Sequence, residues 1–147
     1  MPVSGIRLVD SNLWLALSFS DHAHHRDAVA WFGALREREA AFCRITQMAL
    51  LRHLTNVAIM REFVLSQRTA WECYEELRRD YRVSFLNEPP DLNARWRHLT
   101  SSDKPRHRIW TDAYLAAFAS AQGVALATAD RDFKAFRGLA LDFVKTS

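Results

Sequence analysis

Gly5-Ile6-Arg7-Leu8-Val9-Asp10-Ser11-Asn12-Leu13-Trp14 joins a short β-prone run to an acid and then to the start of a helical pattern. Ile6 to Val9 has the apolar content of a buried strand, and Ser11 to Leu17 reads as a first helix. In an open α/β sheet the carboxyl end of a strand is where side chains face a ligand cleft. Two further acids stand at comparable points. Asp112 opens Thr111-Asp112-Ala113-Tyr114-Leu115-Ala116-Ala117, and Asp130 closes Val124-Ala125-Leu126-Ala127-Thr128-Ala129-Asp130. Carboxylates brought together from distant parts of a chain repel one another, so their joint presence calls for a raised pKa or a bound cation. A hard ion such as Mg²⁺ prefers oxygen ligands and retains several waters. The pattern reads as a small metal-dependent enzyme.

Outward from this stretch, strands alternate with helices. Ala28, Trp31, Phe32 and Leu35 repeat at helical spacing over His25 to Arg38, with Asp21 a plausible N-cap. Ala40 to Ile45 predicts a second strand, followed by a helix from Thr46 or Gln47 to about Leu54. Ser66 can cap a helix that carries Ala70, Cys73, Tyr74 and Leu77 on one side. Arg82 to Leu86 predicts a third strand, which Pro89-Pro90 closes, and Asp91 then caps a short helix through Arg97. A helix over Arg108 to Ala121 ends at Gly123, a good C′ residue. Val124 to Ala127 and Leu139 to Val144 supply the last two strands, with a short helix over Asp130 to Phe136 between them. The alternation predicts an α/β fold of three α/β/α layers around a central, mainly parallel five-stranded sheet with right-handed crossovers.

A chain of 147 residues, 49% of them hydrophobic, is one ordinary domain with enough apolar mass for a core. A single domain over 1–147 is expected. Cys43 and Cys73 lie in apolar or helical stretches and are expected to be buried, reduced thiols. The N-terminus lacks the basic and apolar regions of a signal peptide, and no apolar run approaches the roughly 18 residues of a membrane span. These features predict a cytoplasmic protein. Trp14, Leu17, Phe19, Trp31 and Phe32 supply more large apolar surface than a small core helix needs, and predict that a partner chain covers part of it.

A net charge of +3 does not by itself identify nucleic acid as a partner. The local distribution says more: Arg95, Arg97, Arg106 and Arg108, with His98, Lys104 and His107 among them, immediately precede Asp112. A polyanion drawn there would sit beside an acidic centre. A solvated face or a subunit contact accounts for the same cluster equally well. Among the tryptophans, Trp96 lies between arginines and is the best candidate for base stacking. His22, His24 and His25 crowd a helix start, where they cannot all face one ion, and read as surface or capping residues.

Leu8-Val9-Asp10-Ser11-Asn12, Trp110-Thr111-Asp112-Ala113-Tyr114-Leu115-Ala116-Ala117 and Leu126-Ala127-Thr128-Ala129-Asp130-Arg131-Asp132-Phe133, in this order and spacing, resemble the PIN domain and specifically VapC-type ribonuclease toxins. The resemblance spans nearly the whole chain. It implies a Mg²⁺-dependent (or Mn²⁺-dependent) ribonuclease that cleaves RNA phosphodiesters, assembles as a homodimer and is inhibited by a VapB-type antitoxin. Residue by residue, it makes Asp10 the first metal ligand, Asp112 the helix-borne ligand and Asp130 the ligand after the fourth strand, with Thr128 the hydroxyl residue near the metal. Asp132, Asn12 and Gln47 are the candidates for supporting that centre, and Arg95, Arg97, Arg106 and Arg108 for the RNA track. Helix capping is the competing explanation for each of the three acids, and for Asp132 it competes with a supporting role.

One departure stands out. The family usually carries a glutamate in the helix after the second strand, whereas Cys43-Arg44-Ile45-Thr46-Gln47-Met48-Ala49-Leu50-Leu51-Arg52 has none, the slot falling near Ala49. A second metal site needs its own ligands, so the loss puts two-metal catalysis in question. Gln47 could orient a water or be a polar helix residue. A catalytically degenerate PIN-fold module that binds RNA or protein is the alternative reading. Other chemistries lack their residues. The position two after Asp10 is Asn12 rather than the acid of an aspartyl phosphatase, and there is no glycine-rich phosphate loop or Gly-x-Ser-x-Gly.

Overall fold

Leu8 and Val9 are neighbours on the first strand yet belong to different cores, as expected where side chains alternate across a sheet covered on both faces. In the computed structural model, which describes residues 5–147, the strands are β1 (Arg7–Val9), β2 (Ala40–Phe42), β3 (Val83–Phe85), β4 (Ala125–Thr128) and β5 (Leu141–Phe143). They lie in the order β3-β2-β1-β4-β5, and every neighbouring pair is parallel. From β1 the chain builds outward on one side through β2 to β3, then returns to the other side of β1 to lay down β4. That reversal opens a crevice at the carboxyl ends of β1 and β4. Asp10 and Asp130 follow those two strands.

On one face pack α1 (Ser11–Ser18), α2 (His25–Gly33), α3 (Arg44–Leu54) and α5 (Gln67–Arg79). Trp14 is wholly buried and stacks on Phe42 with ring centroids 3.8 Å apart, and Tyr74 meets the edge of Phe42 at 4.9 Å. The other face is covered by α6 (Leu92–Leu99) and α7 (Ile109–Gln122), whose Leu115 and Phe118 join Leu8, Leu126 and Phe133. Gly123 ends α7 with φ 69°, the left-handed conformation in which a residue lacking Cβ carries no steric penalty. Across the strand layer, Arg7 Nε and Trp31 Nε1 both donate to Asp142 Oδ2 at 2.8 Å, tying β1 and α2 to β5.

Several elements differ from their expected bounds. The second helix stops at Gly33 instead of Arg38, because Gly33 weakens its last turn and Leu35 reaches the core from outside the helix. Conversely α3 begins earlier, at Arg44: the Thr46 hydroxyl accepts from the Cys43 backbone N–H at 3.0 Å and closes a capping box. Asp21 does not cap α2, whose N-cap is His24. A short α4 (Val57–Met60) and a 3₁₀ turn (Arg61–Phe63) occupy a stretch without an expected element, and the segment after β4 is a 3₁₀ turn (Arg131–Ala135). Both cysteines are free, Cys43 buried and Cys73 only half-buried.

The apolar surface expected near the N-terminus is largely consumed within the chain. Trp14 and Phe32 are core residues, with Leu17, Phe19 and Trp31 packed against them. The large exposed hydrophobics include Val57, Ile59, Phe63 and Val64, on and after α4. No helix among the described residues is long and apolar enough to cross a membrane.

Candidate active site

The Asp10 backbone N–H donates to Ala127 O at 2.9 Å, which seats this residue directly between β1 and β4. Its backbone is extended and its carbonyl accepts from Leu13 and Trp14, so the main chain starts α1 while the side chain makes no capping bond. Instead Asp10 Oδ2 accepts from the Thr128 hydroxyl at 2.9 Å. Capping therefore does not explain this acid. Asp10 is only 6% exposed, and its carboxyl is pushed up from 3.8 to about 6. Burial is the main cause; the Thr128 hydrogen bond opposes it, and the negative charges of Asp112 and Asp130 add to it.

Thr128, fully buried at the end of β4, works in two directions. While its hydroxyl donates to Asp10, the oxygen accepts from the Asp130 backbone N–H at 3.0 Å. Asp130 Oδ1 in turn accepts from the Asp132 N–H at 2.9 Å, so this acid does cap the turn that follows it. Asp112 lies in the first turn of α7, where the helix dipole favours an anion. Its pKa is raised by burial and then by the charges of Asp130 and Asp132. Four aspartates thus share one electrostatic field, three of them delivered by β1, β4 and α7.

Whether this donor set suits a metal can be judged from its chemistry. Asp10 and Asp112, raised by burial and further by neighbouring carboxylates, belong to a hard-oxygen acidic cluster, the kind that a divalent ion relieves. No three His, Cys, Asp or Glu side chains among the described residues stand already closed around a single point. A hard cation such as Mg²⁺ is usually held by one or two carboxylates and completes its shell with water, so it does not require a closed protein cage. The residues fit a loosely held hard cation.

Beside the acids opens a cleft of about 870 Å³, lined by Asp112 and Asp132 together with Arg106, Arg108, Arg131 and Arg137. Arg106 and Arg108 are the two arginines of the cleft that the sequence marks. Arg131 and Arg137 are not marked, because they stand outside the basic stretch before Asp112 and only the compact turn after β4 brings them to the cleft. Arg95 is engaged elsewhere, donating to Asp91 at 2.8 Å one turn back along α6, and neither Arg95 nor Arg97 lines this cleft. Gln47 is buried, with its side-chain oxygen accepting from Arg44 Nη1. Asn12 is exposed and borders a small cavity of about 40 Å³ shared with His22 and His24. In that loop His22 Nδ1 accepts from the His24 N–H and His25 Nδ1 meets Ala16 O, so these histidines brace the turn between α1 and α2.

Trp96, the base-stacking candidate of the sequence, is half-buried. Trp96 is part of the apolar packing, meeting both Trp110 and Tyr114 edge-on, and its Nε1 donates to Trp110 O at 2.9 Å. Trp110, by contrast, is 52% exposed. Tryptophan spacing alone could not separate the two, since burial depends on how α6 crosses α7.

The PIN domain pattern matches residues 7–139 of the chain. Ribonuclease VapC41 of Mycobacterium tuberculosis is 40% identical over 139 residues, which is 91% of this chain and 95% of that protein. Among solved structures, VapBC2 from Rickettsia felis, bound to a DNA fragment from its promoter, superposes with a TM-score of 0.68 at 12% identity, covering 95% of this chain and 99% of that one. The Mycobacterium tuberculosis toxin VapC20, which cleaves the sarcin-ricin loop, superposes with a TM-score of 0.65 at 18% identity, covering 90% and 95%. A toxin-antitoxin complex from Klebsiella pneumoniae matches with a TM-score of 0.60 at 21% identity, covering 95% and 99%.

Proposed function

Because the chain belongs to the PIN-domain family and, within it, to the VapC ribonucleases of toxin-antitoxin pairs, we propose that Asp10, Asp112 and Asp130 hold Mg²⁺ or Mn²⁺ for hydrolysis of RNA phosphodiesters. The observation that carries this reading is the convergence of buried acids: Asp10 and Asp112 are both raised, first by burial and then by neighbouring carboxylates, and the Thr128 hydroxyl ties Asp10 to the Asp130 backbone. When bound, such an ion neutralises the carboxylates and stabilises charge developing on a phosphodiester.

The chain's own residues divide the remaining work. Thr128 orients Asp10 by its hydrogen bond and holds the backbone of Asp130 against the same hydroxyl. Asp132 fixes one oxygen of Asp130 through its N–H, leaving the other for the ion. Arg106, Arg108, Arg131 and Arg137 place positive charge along the cleft that Asp112 borders, where they attract and align phosphates. Gln47, with its oxygen committed to Arg44, is a structural residue in this reading. The missing glutamate favours one ion over two.

The same reading carries a VapB-type antitoxin as inhibitor, a cytoplasmic location and a homodimer. Val57, Ile59, Phe63 and Val64 supply exposed apolar surface for contact between two copies, and light scattering across a concentration series should give twice the chain mass. The catalytic reading is tested by incubating the purified protein with total RNA in Mg²⁺, Mn²⁺ or EDTA and mapping the cleaved ends. Discrete ends that require the metal and vanish in Asp112→Asn support it. Intact RNA in every metal would leave only the non-catalytic binding module.

A further inference from the structure

Next to the acidic cleft lies a second cavity, of about 330 Å³, that none of the preceding chemistry uses. We propose that it is a subsite for one unstacked nucleobase of the RNA, with Trp110 as its stacking platform. This rests on the ribonuclease reading and adds to it a place for the base next to the bond that is cut.

Three observations meet here. First, Trp110 is a large aromatic residue left 52% exposed beside a cavity wall formed by Ile109 and Pro105, while its partner Trp96 is committed to packing. The platform is fixed rather than floppy: the Trp96 indole N–H holds the Trp110 carbonyl at 2.9 Å, and the two rings meet edge to face with centroids 6.3 Å apart. A rigid aromatic surface loses little entropy on binding, and every base has a π-face to offer it. Second, the rim is polar and cationic, with Lys104 and Arg106 able to reach a phosphate or base edge and Ser102 to exchange hydrogen bonds. Third, this cavity and the acidic cleft share Leu99, Arg106, His107 and Ile109. A strand whose phosphate lies on Arg106 beside Asp112 therefore has its adjoining base within reach of Trp110.

The volume agrees with a single small aromatic ligand, at the lower end of the roughly 300–1,000 Å³ usual for binding pockets. Base recognition outside a duplex is also how proteins generally read RNA sequence, because single-stranded bases expose both their faces and their hydrogen-bonding edges. Trp110 is accordingly a specificity residue, acting on which RNA is held rather than on the reacting atoms.

The test uses Asp112→Asn protein, which cannot turn over the substrate, and single-stranded RNA oligomers carrying 2-aminopurine at successive positions. One position should be quenched on binding. Adding Trp110→Ala should abolish that quenching and weaken binding between about 5-fold and about 150-fold, the range that one base-aromatic stack supplies, whereas Trp110→Phe should retain most of both. Circular dichroism and thermal melting confirm that the variants fold. In the otherwise wild-type protein Trp110→Ala should raise KM and blur the cleavage pattern while leaving kcat within a few-fold. Unchanged quenching and affinity in Trp110→Ala, with wild-type cleavage intact, overturn the base subsite alone. Loss of antitoxin binding in Trp110→Ala without any change in RNA binding overturns it too, in favour of a protein contact. Absence of metal-dependent cleavage by the wild type overturns the underlying reading as well.

Discussion

The Thr128 hydroxyl donates to Asp10 Oδ2 at 2.9 Å while accepting from the Asp130 backbone N–H, so one buried side chain links the two acids that follow β1 and β4. That bond lowers the Asp10 pKa against the burial that raises it. Thr128→Val keeps the shape and removes the bond. It should push the Asp10 pKa further above about 6 and weaken metal binding or activity by about 10- to 100-fold, the usual loss when a partner of a metal ligand is removed. A pH-rate profile checks this: the acid limb of kcat/KM should move to higher pH, whereas a purely structural role would lower the plateau without moving the limb.

Asp10 also makes the metal-free fold depend on pH. Its folded pKa, about 6, lies above its ordinary value of 3.8, so the native state binds the proton more tightly than the unfolded chain does. The sign follows: its contribution to stability is fully present below pH 4 and is lost as pH rises through about 6. The cost near neutrality is on the order of 3 kcal/mol for a rise from 3.8 to about 6. Asp10→Asn in EDTA should therefore be more stable than wild type at pH 7.5, by up to that amount, and no more stable at pH 4. Urea unfolding at the two pH values measures the difference. Mg²⁺ should stabilise wild type and leave Asp10→Asn nearly unchanged, and an equal response of both proteins would remove Asp10 from the ligand set.

The alternation of strands and helices is readable because the apolar runs are short and end on acids, prolines or glycine, and the parallel sheet follows from that alternation. Element ends are less readable. Leu35 continues the helical spacing of Ala28, Trp31 and Phe32 although the helix has ended at Gly33, since a core residue looks the same in sequence whether a helix or a loop delivers it. At the site, Asp10, Asp112 and Asp130 are marked by their positions at strand and helix ends. Arg131 and Arg137 are not, because their approach to Asp112 depends on the turn after β4. The difference in exposure between Trp96 and Trp110 has the same origin: both lie in basic sequence, and only the α6-α7 crossing half-buries Trp96 and leaves Trp110 more exposed.

Trp14 shows how closely the core stands to the site. It lies one turn after Asp10 on α1, wholly buried and stacked on Phe42 of β2. Trp14→Ala should cost about 3–5 kcal/mol, the range for deleting a large buried aromatic. Chemical denaturation gives that value directly. Because the vacated space also releases the start of α1, metal affinity measured by titration should fall in the same variant, while Trp110→Ala, half-exposed and packed edge to face on Trp96, should cost only about 0.5–1.5 kcal/mol.

In the proposed function, attraction of RNA and its hydrolysis are assigned to different side chains, so they should separate experimentally. Phosphate attraction acts over a Debye length through Arg106, Arg108, Arg131 and Arg137, whereas chemistry depends on acids at contact distance from the ion. Replacing Arg106 and Arg108 by Gln should weaken RNA binding and reduce the slope of log K against log salt by about 0.7 for each phosphate of a single strand that is no longer neutralised. Asp112→Asn should do the opposite: cleavage disappears, and binding in the absence of divalent metal holds or strengthens as one negative charge leaves the cleft. Arg95→Gln serves as the internal control, because its side chain is paired with Asp91 outside the cleft and its removal should leave the slope unchanged. A slope that falls equally for Arg95 and for Arg106 would mean that the cleft has no privileged hold on the phosphates, and that the basic stretch before α7 acts only through its overall charge.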